Sequence, residues 1–115
     1  MGRLTTHILD TAHGRPAAGV AVRLFSLGKE RALVASQLTN QDGRTDEPLL
    51  DDANMSAGSY ELEFDIGDYF AANAVEVSEP AFLDTVVIRF AVNADEHYHV
   101  PLLASPWSYS TYRGS

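Results

Sequence analysis

The sequence predicts an all-β fold, an antiparallel β-sandwich of two sheets with about eight strands and one short helix. Apolar and polar residues alternate with a period of two in several short runs, which is typical of half-buried strands. Turn-forming residues separate these runs, and one short segment near the middle of the chain breaks the alternation. Short strands joined by frequent turns favour a sandwich over other all-β folds.

The strand prediction rests on three clear runs, at residues 20–24, 60–66 and 86–92. In the second run, Tyr-Glu-Leu-Glu-Phe-Asp-Ile, the apolar side chains share one face and the three acids share the other. Because successive side chains of a strand point to opposite faces, one face is expected in the core and the other in water. The other two runs repeat the pattern with an arginine on the outer face.

Turn chemistry and the one break in the pattern divide the chain further. The segment SLGKE after the first run predicts a hairpin, and NQDGR holds an Asp-Gly pair in which glycine adopts positive φ at little cost. The polar segment at 51–59 predicts a surface loop. In the segment 67–73, Asp68 is predicted to cap a helix of two turns, with Tyr69 or Phe70 packing inward.

Length, charge and composition limit the possible functions. The 115 residues fit a single domain spanning 1–115. A net charge of −8 without a basic cluster disfavours nucleic acid as a partner. The chain has no cysteine and no long apolar run, so we expect neither disulfides nor a membrane span, and a cytoplasmic location.

The C-terminal segment differs from the rest of the chain. HYHVPLL places His97 and His99 on one face of a strand, with Tyr98 and Val100 on the other. Pro101 cannot donate a ladder hydrogen bond, so this strand is expected to be an edge strand, or to be bulged or bent there. The aromatic residues of the segment are expected to form an interface or cleft surface rather than a plain solvent face. These are Tyr98, Trp107, Tyr109 and Tyr112.

The four histidines allow two kinds of site, and neither follows from the pattern alone. His97 and His99 have a spacing used by metal ligands, or a histidine beside an arginine and a hydroxyl forms a hydrolytic site. A solvated histidine pair is the commoner case, and no third ligand is evident, so no metal is predicted. His13 lies in a turn sequence, and Arg44 directly follows the Asp-Gly turn.

Several segments nevertheless resemble the transthyretin-like proteins that hydrolyse 5-hydroxyisourate in urate breakdown. HYHVPLLASPWSYSTYRGS resembles the C-terminal signature of that family, and LTTHILDTAHGRPAAGVAV resembles its first two strands. TNQDGR resembles the segment with the family arginine, and YELEFDIGDYF resembles the strand that leads into the family's helix. The terminal YRGS is specific, since the hormone carrier transthyretin lacks this ending and the site histidines.

The resemblance implies a catalytic set of His7, Arg44, His99 and Ser115. It also implies that the remaining residues of the tail motif, Tyr112, Arg113 and Gly114, bind substrate, while His97 has only a supporting or surface role. Family members are tetramers built as dimers of dimers, with two clefts in a central channel, so a homotetramer is expected.

The implied reaction opens the ring of 5-hydroxyisourate to give 2-oxo-4-hydroxy-4-carboxy-5-ureidoimidazoline, without a metal or organic cofactor. Two other functions stay open. The chain is either this hydrolase, a transthyretin-like carrier that binds a small ligand without catalysis, or a β-sandwich that docks a protein partner through its aromatic tail. Fold alone does not separate these functions.

Overall fold

Two four-stranded sheets and one helix make up the computed structural model, which describes residues 2–73, 79–93 and 95–114. The elements in chain order are β1 (Leu4–Asp10), β2 (Arg15–Pro16), β3 (Ala21–Leu27), β4 (Arg31–Leu38), β5 (Gly58–Asp65), α1 (Ile66–Ala72), β6 (Thr85–Val92), β7 (Tyr98–Ala104) and β8 (Tyr109–Thr111). The strand order is β2-β1-β7-β8 in one sheet and β4-β3-β5-β6 in the other. The predicted sandwich with one short helix is confirmed.

The core fills the space between the inner faces of the two sheets. Many of its fully buried side chains come from alternate positions of the strands, as the period-two pattern predicts. The largest on strands are Leu4, Ile8, Leu24, Leu62, Phe64 and Leu102, while Ile66 and Phe70 come from helix α1 and Leu50 from the segment between β4 and β5. The predicted hairpin is also present, since β3 and β4 pair antiparallel on either side of the SLGKE segment.

One pair of strands departs from the antiparallel expectation. β1 and β7 run parallel, with pairs from Leu4 opposite Tyr98 to Asp10 opposite Ala104. The alternation of side chains gives no direction of pairing, because parallel and antiparallel strands share the same period of two. This pair joins the two ends of the chain and, as described below, positions the candidate site.

Pro101 lies in an interior strand, so of the alternatives predicted for its segment, an edge strand, a bulge or a bend, the edge strand is wrong. β7 has β1 on one side and β8 on the other. The β7–β8 ladder reaches Leu102 opposite Thr111, and a single bridge between His99 and Gly114 continues the same register. Pro101 falls between these pairings, where the Thr111 hydroxyl donates to the Pro101 carbonyl at 2.7 Å. The missing N–H is therefore accommodated in a local interruption of the ladder.

Two side-chain predictions need correction. Asp68 does not cap the helix: the helix begins at Ile66, directly after β5, so Asp68 lies in its first turn. Tyr69 and Phe70 both pack inward, as expected. Tyr98 is buried rather than part of an exposed aromatic surface, because it lies on the core face of β7. The other three aromatic residues of the tail are exposed.

The acidic face of β5 is covered by arginines rather than left to water. Arg23 pairs with Glu63 and Asp65, Arg31 with Glu61 and Glu63, and Arg89 with Glu61. Hydrogen bonds from Arg89 and Arg31 lower the pKa of Glu61. Cross-strand pairs of opposite charge thus stabilise the outer face of this sheet.

Asp10, the last residue of β1, is a buried carboxylate that joins β1 to helix α1. It accepts hydrogen bonds from the Tyr69 hydroxyl at 2.7 Å, from the His13 backbone N–H at 3.0 Å and from the His13 ring at 2.5 Å. Burial raises the pKa of Asp10, but the hydrogen bonds from His13 and Tyr69 outweigh it, and the pKa lies below its usual value.

Replacing this carboxylate tests its contribution to stability. We expect Asp10→Asn to lower the free energy of unfolding at pH 7 by about 2 kcal/mol, since it removes the charge that these donors bind. Urea denaturation measures the change, and Asp52→Asn in the exposed loop is the matched control. Because the folded-state pKa is lowered, the stabilisation is present above the ordinary carboxyl pKa and fades as pH falls through the lowered value. Equal stability of wild type and Asp10→Asn at pH 7 would contradict this account.

Candidate active site

The site begins on the outer face of the parallel strands β1 and β7. Leu4, Ile8 and the other core residues of β1 alternate with half-buried side chains that include Thr5 and His7. His99 of β7 lies directly opposite Thr5 in the parallel register. The Thr5 Oγ1 and His99 Nδ1 atoms are 2.9 Å apart, which is a hydrogen-bond distance.

Arg44 reaches this face through the Asp-Gly turn. The Asn40 N–H donates to the Arg44 carbonyl at 2.7 Å and closes the turn, while Gly43 takes a φ of +75°. The Ile8 N–H donates to the Gly43 carbonyl at 2.8 Å, and an isolated antiparallel bridge pairs His7 with Arg44. A Cβ atom on Gly43 would overlap the Ile8 carbonyl oxygen. The turn therefore needs glycine both for its backbone angle and for its close approach to β1.

The C-terminal tail closes the other side of His99. The Gly114 N–H donates to the His99 carbonyl at 2.7 Å. A Cβ atom on Gly114 would lie 2.8 Å from Cδ2 of the His99 ring, closer than van der Waals contact allows. Gly114 thus lets the tail backbone pack against the imidazole. Ser115, the fourth residue of the predicted catalytic set, lies outside the described residues.

Tyr112 and Arg113 lie on a different part of the surface. The Arg113 guanidinium stacks 4.2 Å from the Tyr98 ring centre and donates to the His97 carbonyl at 3.2 Å. Tyr112 is exposed, and both residues line a separate apolar groove of about 280 Å³ beside β6. The structure therefore packs Gly114 against His99, whereas Tyr112 and Arg113 line the neighbouring groove and Arg113 contacts His97 and Tyr98.

A cavity of about 480 Å³ opens over this arrangement. Its lining consists of Arg3, Thr5, Arg44, His97, Tyr98 and His99. His97 lines it as an exposed side chain, and its supporting or surface role stays a prediction. His7 is not part of the lining, although its backbone pairs with that of Arg44.

The electrostatics of the cavity favour a neutral His99. Burial lowers the pKa of this imidazole, and the positive charge of Arg44 and then of His7 lowers it further. A neutral imidazole accepts a proton, and a guanidinium donates hydrogen bonds to a carbonyl or carboxylate oxygen. The pair therefore has the groups needed for general-base catalysis beside an oxyanion-binding cation.

Within residues 2–73, 79–93 and 95–114, no three His, Cys, Asp or Glu side chains are grouped so as to bind a metal ion. In the same part of the chain, no helix is long and apolar enough to cross a membrane.

Two residues of the cavity were missed by sequence reasoning, Thr5 and Arg3. The alternation that places His7 on the outer face of β1 also places Thr5 and Arg3 there. That signal was available but unspecific, because threonines and arginines are common on solvent-facing strand positions.

Comparison with known proteins agrees with this fold. Residues 4–114 match the model of the HIUase/Transthyretin family. The 5-hydroxyisourate hydrolase of Pseudomonas aeruginosa is 56% identical over 117 residues, covering 100% of this chain and 93% of the relative. The structure of Klebsiella pneumoniae 5-hydroxyisourate hydrolase superposes with a TM-score of 0.82 at 37% identity, covering 98% of this chain and 99% of that one.

A crystal structure of (S)-allantoin synthase superposes with a TM-score of 0.94 at 46% identity. The match covers 99% of this chain but only 44% of that longer protein. A transthyretin-like sandwich, with a cavity over the outer face of its β2-β1-β7-β8 sheet, defines the class of protein. This chain belongs to the HIUase/Transthyretin family.

The pKa of His99 provides a test of the cavity's electrostatics. We expect NMR titration to give His99 a pKa below the ordinary value of about 6.5. Arg44→Gln should raise that pKa, because a nearby positive charge disfavours the imidazolium. Arg15→Gln, which removes an exposed arginine bound to Asn73, is the matched control and should leave it unchanged. A wild-type pKa above the ordinary value would contradict the assignment.

Proposed function

We propose that this chain hydrolyses 5-hydroxyisourate, opening its six-membered ring to give 2-oxo-4-hydroxy-4-carboxy-5-ureidoimidazoline in urate breakdown. The observation that carries the proposal is that an imidazole with a lowered pKa, His99, and a guanidinium, Arg44, line the same cavity. The Pseudomonas aeruginosa relative, which matches the whole chain at 56% identity, is named for this activity. The substrate is thus an oxidised purine.

The reaction adds one water across an amide bond of the ring. One proton of the water passes to a base while its oxygen bonds to the carbonyl carbon, which turns the carbonyl oxygen into an oxyanion. When the carbon–nitrogen bond breaks, that proton is returned to the leaving nitrogen, and the carbon becomes a carboxyl group. A catalyst therefore needs a base of suitable pKa and a cation at the oxyanion.

His99 is the general base in this mechanism. Its lowered pKa keeps it neutral at physiological pH, and its place in the cavity wall gives it access to a bound water. His7 contributes positive charge when protonated, and a backbone bridge holds it next to Arg44. Replacing each histidine singly shows how much His7 and His99 each contribute to proton transfer.

Arg44 binds a substrate oxygen and stabilises the developing oxyanion. Its planar guanidinium offers several N–H donors in fixed directions, whereas lysine presents a point charge. The turn that holds it is fixed by the contact of Gly43 with β1, so the backbone of Arg44 is positioned before substrate arrives.

The roles proposed for the tail residues come from the family resemblance. Ser115 orients water or substrate by a hydrogen bond. Gly114 is supported as a residue of the site by its contact with the His99 ring. The contacts of Arg113 with Tyr98, Glu96 and the His97 carbonyl favour a role in holding the tail rather than in binding substrate.

We also propose that the chain assembles as a homotetramer, a dimer of dimers. β6 is one of the two edge strands of its sheet and β8 one of the two of the other, and an apolar groove lies between β6 and the tail. Tyr109, Tyr112 and Val87 are exposed along these edges. Open strand edges and exposed apolar side chains are both typical of surfaces that pair with another copy. A cytoplasmic location likewise remains a prediction, resting on the lack of cysteine.

Sedimentation equilibrium tests the assembly. The expected mass is four times the 12.5 kDa of the chain. A well-folded sample that sediments as a monomer at micromolar concentration would contradict the tetramer.

The activity is tested by following the ultraviolet absorbance of freshly made 5-hydroxyisourate. Wild type should speed its decay well beyond the rate in buffer, and Arg44→Lys should reduce kcat/KM by at least about tenfold, because it keeps the charge but loses the planar fork. Arg15→Lys, an equivalent change outside the cavity, should match wild type. Saturable ligand binding without faster decay would instead favour the carrier alternative.

A further inference from the structure

The Thr5 hydroxyl is the side-chain group that contacts Nδ1 of the His99 ring. Its Oγ1 lies 2.9 Å from Nδ1, and both residues line the cavity. Thr5 and His99 are direct partners in the parallel register, so the backbone of two strands fixes this distance. The β-branched threonine side chain also has a restricted χ1 angle, which aims the hydroxyl.

We propose that Thr5 is a positioning residue for the hydrolysis proposed above. Its hydroxyl oxygen accepts the Nδ1–H proton of His99, which leaves the lone pair of Nε2 to take a proton from water. This inference rests on the proposed function for its role in the reaction, but the state of the imidazole that it predicts is observable in the resting protein.

The direction of this hydrogen bond follows from what a histidine base needs. A neutral imidazole carries one proton, and the nitrogen without it is the acceptor. If the Thr5 hydroxyl donated to Nδ1, the proton would sit on Nε2 and that nitrogen would be unable to act as a base. When Nδ1–H is the donor, it donates to Thr5 both before and after Nε2 takes up a proton. The same contact therefore persists through the proton transfer.

The ring is held from the opposite side as well. Gly114 of the C-terminal tail packs closely on the imidazole. A Cβ atom at this position would lie 2.8 Å from Cδ2 of His99 and 3.3 Å from its Cγ. The imidazole is thus confined between Thr5 on β1 and the tail backbone on the other side of β7. Steric confinement by the tail restricts the ring plane, and the hydrogen bond to Thr5 selects the tautomer.

The groups around the ring do not offer Nδ1 a competing partner in the described part of the chain. Arg44 and a protonated His7 act on His99 through their charge, and His97 lies exposed at the cavity edge. A positive group has no lone pair to accept a proton from Nδ1–H. Thr5 is therefore the acceptor that this arrangement supplies.

The test removes the hydroxyl while keeping the shape of the side chain. Thr5→Val should lower kcat by about tenfold with KM within about twofold, a part of the roughly 100- to 10,000-fold that general-base catalysis supplies. Thr5→Ser restores the hydroxyl and should recover kcat to within about threefold of wild type. Thr85→Val, on β6 of the opposite sheet, is the matched control and should equal wild type.

Nitrogen-15 NMR of the histidine rings supplies the readout that a purely structural role would not change. Neutral His99 should be the Nδ1–H tautomer in wild type and in Thr5→Ser, and should gain Nε2–H tautomer in Thr5→Val. A wild-type His99 in the Nε2–H form would overturn the proposal, and so would a Thr5→Val protein with unchanged tautomer and kcat. The wild-type spectrum decides the tautomer even if Thr5→Val fails to fold. If wild type does not hydrolyse 5-hydroxyisourate, the proposed function fails, while the spectra still decide whether Thr5 sets the tautomer.

Discussion

The parallel pairing of β1 with β7 is the constraint on which the rest of the structure depends. Seven consecutive residue pairs join the beginning of the chain to a segment 94 residues later. The register puts Thr5 opposite His99, and it also sends Leu4, Ile8 and Leu102 into the core. A slip of one residue would turn every side chain of β1 to the other face and remove both the core contacts and the cavity wall. Core and candidate site are therefore fixed by the same hydrogen bonds.

Two glycines extend this constraint to segments that lack regular structure. Gly43 allows the Arg44 turn to dock on β1, and Gly114 allows the tail to pack on His99. In both cases the space that a Cβ would need is taken, by the Ile8 carbonyl oxygen beside Gly43 and by the His99 ring beside Gly114. The turn and the tail are thus positioned by backbone contacts, which vary less than side-chain contacts do. Such rigid support is what an electrostatic site requires, since preorganised charges need no rearrangement when a substrate binds.

The distribution of charge explains how an acidic chain contains a cationic cavity. Four arginines are paired with acids: three of them lie on the outer face of the β4-β3-β5-β6 sheet, and Arg113 lies against Glu96. In the described residues, Arg3 and Arg44 make no ion pair, and both line the cavity. A local positive potential is therefore present despite a net charge of −8. Burial and then the charge of Arg44 lower the pKa of His99, and the positive potential suits a site that stabilises an oxyanion.

The sequence by itself determined the sandwich, its hairpin and its helix, because the period of two and the turn residues are local signals. It also pointed to His7, Arg44 and His99, but only through resemblance to a family, since pattern alone left each of them an ordinary surface residue. The tertiary structure decided the parallel direction of β1 and β7, the interior place of Pro101, the burial of Asp10 and Tyr98, and the contact of Thr5 with His99. Each of these depends on which strands become neighbours. Residues far apart in the chain meet only once sheet order and register are set, and alternation within a strand carries no information about either.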